Sequence, residues 1–522
     1  LRLLAERCKA GTARALLLLT SRPGSRALQA IAPLTIALGP LQPDDARELA
    51  KALLPPGLPE SALSQVLARA DGVPFYIEEM ARAAVAGGSE ITIPLTLRGA
   101  LMAQLDALDD AKPIAQIAAV LGRSFQTALF EALFEESQVR DVHRGLRRLV
   151  EARFLEPEGA GEELEGYAFR HALIRDAAYD SLLRTARRRH HAHIAAVLRE
   201  RFPDMAATRP ELLAQHLAHG GLSADAVAAY EAAARRAAQR SAHEEAAEHC
   251  RAALRVLAQQ APSRTRTEAE LLFEVMLAAQ LTIARGNAEP EVLRAFQRGH
   301  QAATELGEPR MIVRTLRGQQ TFHLVHGDIA AGHAISERVL KLIDDAGDDV
   351  GLRLQALRAH GLTLLYLARF DEARDALRTC ISLYDPVRDA PQRFEYGSDA
   401  MVLARAHLGW TEWHLGNPAA AAEESRLALS AARMLDHPHS LAFALAFDAC
   451  LHQFAAAPAN ALAAAQALES VARQHDFAYW IAWAEILGGW AAASLDDRHN
   501  GEGQLRRGLD DYARTGAGLL LP

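Results

Sequence analysis

A mainly α protein is predicted, opening on a short α/β segment and ending in a long α-solenoid. Three observations predict it. The run Ala15-Leu-Leu-Leu-Leu-Thr20 is continuously apolar, as a strand buried on both faces of a parallel sheet requires. Between Tyr167 and Leu183 a short alternating pattern passes directly into helical spacing, with Ala172, Leu173, Ala177, Tyr179 and Leu183 recurring on one face. From Pro210 onward strand signals disappear, and alanine-rich amphipathic helices follow one another with short breaks.

In chain order, Leu1 to Ala10 reads as a short helix and Ala15 to Thr20 as the buried strand, ended by Thr20-Ser21-Arg22-Pro23. Ligands of open α/β sheets sit at the carboxyl ends of strands, so Arg22 is placed to face one. An arginine capping a strand end at the surface is the plainer alternative. Leu41-Gln-Pro-Asp-Asp begins a helix, with Asp44 or Asp45 as N-cap and Leu49 and Leu53 on one face. A second helix runs from Ser61 to Ala70. Gly72 ends it in a left-handed turn, and Pro74 opens the next helix at its first position.

Helices are expected at Leu95 to Leu108, Ala111 to Leu121, Thr127 to Phe134 and Val139 to Ala152, followed by a strand at Arg153 to Pro157, a Gly-rich acidic turn and the Tyr167 strand. A strand running into an amphipathic helix after short helices is how a winged-helix module ends. On the helix from 139 to 152, Val142, Leu146 and Leu149 form the buried stripe, beside Arg140, Arg144, Arg147 and Arg148. Arginines on such a helix suit DNA. The five carboxylates of Glu156, Glu158, Glu162, Glu163 and Glu165 would repel phosphates at the wing, so packing within the protein is the expected role. His171, where strand becomes helix, can face a phosphate or simply cap the helix. In Arg187-Arg-Arg-His-His-Ala-His193, adjacent arginines oppose a dication, so no metal site is expected; the run reads as a solvated face with His193 tucked inward.

The array begins with helices at Glu211 to His219, Ala224 to Arg240 and His243 to Ala258, and an internal repeat follows Pro262. Small residues mark close-packed first helices at Gly318, Gly361, Gly409, Ala449 and Gly489, at intervals of 43, 48, 40 and 40. Turns follow at His326 to Ala330, Arg369 to Ala373 and Leu415 to Ala419. The period exceeds a strict tetratricopeptide unit and fits a looser helix-pair solenoid with a surface for a protein or small-molecule ligand. Phe322, Tyr366, Trp410, Trp413, Phe454, Tyr479, Trp480, Trp483 and Trp490 are mostly core, since large rings fill helix-pair interiors.

Composition narrows the function. Lys and Arg number 57 against 65 Asp and Glu, a net charge of -8, so no overall basic field draws nucleic acid or anionic membrane. No apolar run is long enough to span a bilayer and no signal peptide is read, which makes the cytoplasm the expected compartment. Cys8, Cys250, Cys380 and Cys450 are isolated, forming neither a redox nor a metal motif. The lysines, Lys9, Lys51, Lys112 and Lys341, never follow glycine, so no Walker A loop is present to cradle phosphates. Opening on Leu1, the chain is expected to be a piece of a longer protein.

The stretch Tyr167 to Leu183, the succession of a strand ending in Arg22, two helices and Gly72-Val-Pro-Phe75, and the stretches Ile93 to Leu101 and Ala118 to Phe125 resemble STAND-type signalling ATPases. Gly351 to Asp371, Met401 to Asn417 and His437 to Phe454 resemble the tetratricopeptide-like array of the members linked to adenylate or guanylate cyclase domains. The resemblance implies four regions: the C-terminal part of a P-loop ATPase domain at 1–90, a winged helix at 91–203, a helical linker bundle at 204–261 and the repeat array at 262–522. It implies that Arg22 approaches the γ-phosphate of ATP, that Pro74 lies against adenine and that His171 senses the β-phosphate of ADP. The intact parent would use ATP or ADP with Mg, whereas this piece alone is expected to bind neither tightly and to carry no catalytic residue. A linked cyclase domain is the expected output. The alternatives are a LuxR-type transcription regulator and a scaffold of helical repeats without enzymatic activity.

Overall fold

The computed structural model describes residues 38–54, 60–86, 96–159, 165–240, 242–346, 349–389, 392–393, 397–495 and 497–519. The expected strand Ala15 to Thr20 and Arg22 lie outside these described residues. Two compact units divide the chain, Leu1–Ala186 and Arg187–Pro522.

The first unit begins with α1 (Pro43–Leu53), α2 (Glu60–Ala70), α3 (Pro74–Ala86) and α4 (Leu97–Asp106). Helix α1 starts at Pro43, with Gln42 as a cap that makes no side-chain hydrogen bond; Asp44 and Asp45 fall in its first turn rather than at the N-cap. Proline sets the helical φ and lacks the amide that a cap would satisfy, while the two carboxylates sit near the positive end of the helix dipole. Ala46, Ala50, Leu63, Val66, Ala70, Ile77, Met80 and Ala100 bind these helices into one core. Gly72 is required at the turn before α3. Its φ is +70°, and a Cβ there would lie 2.8 Å from the Leu41 carbonyl oxygen.

Next come α5 (Lys112–Leu121), β1 (Ser124–Gln126), α6 (Thr127–Glu131), α7 (Val139–Glu151), β2 (Leu155–Glu158), β3 (Gly166–Phe169) and α8 (Ala172–Asp180). The antiparallel sheet has the order β1-β3-β2, pairing Phe125 with Tyr167 and Leu155 with Phe169. Strand alternation turns these four side chains inward, where each is buried. Strand β1 was not expected, because three residues are too few to display a period. On α7, Val142, Leu146 and Leu149 are buried as expected, and Thr96 caps α4 by accepting from the Gly99 amide.

The second unit is helical throughout its described residues. It holds α9 (Arg184–Arg201), which starts just before the division, then α10 (Pro203–Thr208), α11 (Pro210–Gly220), α12 (Ser223–Gln239), α13 (His243–Leu257), α14 (Arg264–Arg285) and α15 (Pro290–Leu306). Five pairs complete it: α16 (Pro309–His326) with α17 (Ile329–Ala346), α18 (Val350–Tyr366) with α19 (Phe370–Leu383), α20 (Ala400–His414) with α21 (Pro418–Met434), α22 (Pro438–Phe454) with α23 (Pro458–Gln474), and α24 (Ala478–Ser494) with α25 (Arg498–Arg514). The short helix Pro386–Asp389 lies between the second and third pairs. This is an α-solenoid.

The marked small residues all lie on first helices of pairs. A Cβ on Gly361 would meet Leu377 at 2.7 Å, one on Gly409 the Ala421 carbonyl at 3.2 Å, and one on Gly489 the Leu505 amide at 2.5 Å, each on the helix's own partner. Gly318 differs: its missing Cβ makes room for the Phe296 ring of α15. Helix ends are equally regular. Gly416, Asp436, Ala456 and Asp476 follow at 20-residue steps, each with positive φ, closing α20's turn and the next three helices in left-handed conformation.

Candidate functional site

Two of the residues marked in the sequence stand at one corner of the first unit, joined through Phe75, the neighbour of Pro74. Pro74 is the exposed first residue of α3, so the helix leaves the Gly72 turn with Phe75, Glu78, Glu79 and Arg82 on neighbouring positions of one side. Strand β3 arrives opposite and ends at Phe169, and Arg170 and His171 follow it, His171 as the N-cap of α8. The imidazole of His171 stacks on the Phe75 ring, with centroids 4.0 Å apart and planes 14° from parallel. Its Nδ1 accepts from the Leu173 amide at 3.2 Å, capping α8. An accepting Nδ1 places the proton of the neutral ring on Nε2.

Arg170 ties the same two elements electrostatically. Its Nη2 donates to Glu78 Oε2 at 3.1 Å, its Nε lies 3.7 Å from Glu156 Oε1, and buried Nη1 has no hydrogen-bond partner among the described residues. Arg82 holds Glu79 at 2.9 Å and reaches Glu78 at 3.5 Å. Burial pushes the Glu79 carboxyl above its ordinary range, and Arg82 only partly opposes this. The corner is therefore an aromatic stack beside a row of alternating charges, with one guanidinium donor left over.

Phe75, Glu78 and Arg170 were not singled out from sequence. Their signal was position alone: Phe75 follows the marked proline and Arg170 precedes the marked histidine. On α7, Arg140, Arg144 and Arg147 are exposed; Arg144 pairs with Asp141 at 2.6 Å and Arg148 pairs with Asp110. Glu156, Glu158 and Glu165 are exposed at the β2–β3 end.

The histidine run on α9 differs from expectation in one respect. His193 is exposed, and His191 is the buried ring. His191 shares a helix face with Ile194, Ala195 and Leu198, whereas His193 is turned by two residues to the other side. His191 Nδ1 lies 2.9 Å from His216 Nδ1, and burial depresses the two rings to about 3 and about 4. Among the described residues no group of three or more His, Cys, Asp or Glu is placed to hold a metal ion.

In the array, aromatic rings fill the inner side of the first helices. Trp410 Nε1 donates to the Phe447 carbonyl at 2.9 Å, and Phe447 stacks between Phe443 and Trp483. Phe322, Trp410, Trp480 and Trp483 are buried, Tyr366, Trp413, Tyr479 and Trp490 half-buried, and Phe454 exposed. His439 links three successive pairs. Trp480 Nε1 donates to its Nε2 at 3.1 Å, so its Nδ1 carries the proton and donates to Ser398 Oγ at 2.8 Å. Desolvation raises the hydroxyl pKa values of Tyr366, Tyr479 and Tyr512, whose charges would oppose one another.

No family model matches the chain. An uncharacterized protein of Rhizobium meliloti is 25% identical over 533 residues, covering 97% of this chain and 50% of that protein. The chain thus spans about half the length of the curated relative it matches. Among solved structures, a Signal Transduction ATPase with Numerous Domains (STAND) protein with a tetratricopeptide repeat sensor, from Pyrococcus horikoshii, superposes with a TM-score of 0.34 at 13% identity, over 91% of this chain and 72% of that one. The apo form of RapI superposes at 0.42 with 10% identity, over 55% of this chain and 98% of that one. A Rap protein complexed with competence and sporulation factor superposes at 0.39 with 10% identity, over 55% and 77%. Among the described residues, no helix is long and apolar enough to cross a membrane.

Proposed function

We propose that this chain is the switch and sensor portion of a cytoplasmic signal-transduction ATPase. The observation that carries the reading is the stack of Phe75 on His171, which joins the helix opened by Pro74 to the strand–helix corner. In this reading the elements from α5 to β3 form a winged helix, supported by their order of helix, strand, two helices and two strands. ADP with Mg binds across residues of the ATPase domain, adenine resting on exposed Pro74 and the β-phosphate facing the Nε2 proton of His171. Arg170 Nη1 supplies a second donor, and Glu78 competes with phosphate for the same guanidinium. Arg22 approaches the γ-phosphate when ATP is bound. Exchange of ATP for ADP then shifts the winged helix between two arrangements, and a protein or small-molecule ligand on the array biases that equilibrium. The output is a linked nucleotide cyclase domain, and the acidic wing argues against direct contact with nucleic acid.

The test is ADP affinity of the protein expressed from the whole open reading frame that encodes these residues. Replacing His171 by Ala should weaken ADP binding by about tenfold, the loss of one charge-assisted hydrogen bond. His171→Asn keeps a cap acceptor for α8 without the imidazole. If Asn restores wild-type affinity, the ring serves only as a cap and the reading fails.

A further inference from the structure

The array returns on itself. The segment Thr515–Leu519, following α25, lies against the ends of α14 and α16. The amides of Gly518 and Leu519 both donate to the Val325 carbonyl, at 2.8 and 3.0 Å. His326 Nδ1 is 3.3 Å from the Gly516 carbonyl, and Tyr512 Oη donates to the Leu519 carbonyl at 2.7 Å. Ala517 and Leu519 are only 3% and 7% exposed. Ala288, Val325, Trp410, Trp483, Tyr512 and Ala517 belong to one continuous core, so the first and last parts of the array share an interior.

Both glycines of the segment are fitted to this docking. Gly516 has a φ of +79°, and its Cβ would lie 3.0 Å from the Ala288 carbonyl. A Cβ on Gly518 would lie 2.5 Å from the His326 carbonyl. The Val325 carbonyl is one of the four at the end of α16 that no helical amide can reach. The segment satisfies it without taking a bond from the helix, so it can leave without unfolding a turn.

We propose that Thr515–Leu519 is a releasable strap that closes the array against the core holding Tyr366, Tyr479 and Trp483. Closure is a property of the array alone; its use as regulation rests on the sensor reading above. Two of its bonds share the single carbonyl of Val325, and the other two are made by the side chains of His326 and Tyr512, so no helical hydrogen bond has to break when it leaves.

Amide exchange and acrylamide quenching of tryptophan, both on the full chain, test this. The variants are Gly518→Ala and Tyr512→Phe, with Gly503→Ala as control because a Cβ at Gly503 meets nothing closer than Arg507 at 3.7 Å. Gly518→Ala should speed exchange by about tenfold in the strap and equally in peptides covering 283–288 and 323–328, as expected for losing about two hydrogen bonds. Tryptophan quenching should rise with it. Tyr512→Phe should do the same more weakly, and the control should do neither. Faster exchange confined to the strap, or none anywhere, would overturn the proposal. An effect of Gly518→Ala where His171→Ala leaves ADP affinity unchanged keeps the strap and overturns the switch reading; no effect of Gly518→Ala where His171→Ala weakens ADP binding does the reverse.

Discussion

The ring of Phe75 lies parallel to the imidazole of His171 at 4.0 Å, while the same imidazole accepts a hydrogen bond from the Leu173 amide. One side chain thus holds two elements together and starts a helix. His171→Ala should destabilise the first unit by about 1 kcal/mol for the lost cap plus about 0.5–1.5 kcal/mol for the lost stack. Phe75→Leu should lose only the stack. Urea unfolding of both single variants and the double variant measures the coupling; additive effects would show that the rings do not support one another.

Acid should open the array before most carboxylates titrate. Desolvation holds His191 and His407 at about 3 and His216 and His439 at about 4, against about 6.5 in an unfolded chain. Between these values the unfolded chain binds more protons than the folded one, so stability is full above about pH 6.5 and falls as pH drops. At pH 5 each ring costs about 2 kcal/mol, enough in sum to rival the stability of a domain. Buried Glu274 and Asp399, raised by desolvation, offset part of this. Circular dichroism against pH should place the transition between about 4 and 6. A fold intact at pH 4 would refute the assignment of neutral, desolvated rings.

Two glycines in neighbouring helices should respond oppositely to the same change. Gly489→Ala forces a methyl group to within 2.5 Å of the Leu505 amide, and overpacking of this kind costs about 1–3 kcal/mol. Gly503→Ala on α25, where a Cβ would meet only the Arg507 side chain at an ordinary 3.7 Å, should gain up to about 1 kcal/mol from helix propensity. Thermal unfolding of the two variants decides; equal shifts would mean that the close approach of α24 to α25 does not limit the array.

Much of the fold was legible because local chemistry and tertiary packing agree. Pro74, Pro418, Pro438 and Pro458 open helices, and Gly361, Gly409 and Gly489 mark where partner helices touch. Ala456 was less legible, since nothing in an alanine announces a left-handed helix end, whereas an aspartate such as Asp476 tolerates that conformation better. His191 was mistaken for an exposed ring because neighbouring arginines dominate the run, although its spacing to Ile194 and Leu198 was readable. The corner was half legible: Pro74 and His171 stood out, but the stack and the Arg170–Glu78 bridge join residues 92 and more positions apart, a pairing that no local pattern encodes. The strap was not legible either, because Gly516 and Gly518 acquire meaning only against helix ends far earlier in the chain.

The most direct test of the switch is ATP turnover by the protein expressed from its whole open reading frame, comparing wild type with Arg22→Ala and His171→Asn. A switch that uses Arg22 on the γ-phosphate and His171 on the ADP-bound form predicts lower turnover for the first and raised basal turnover for the second. Unchanged turnover in both would contradict it, and leave the chain a scaffold of helical repeats.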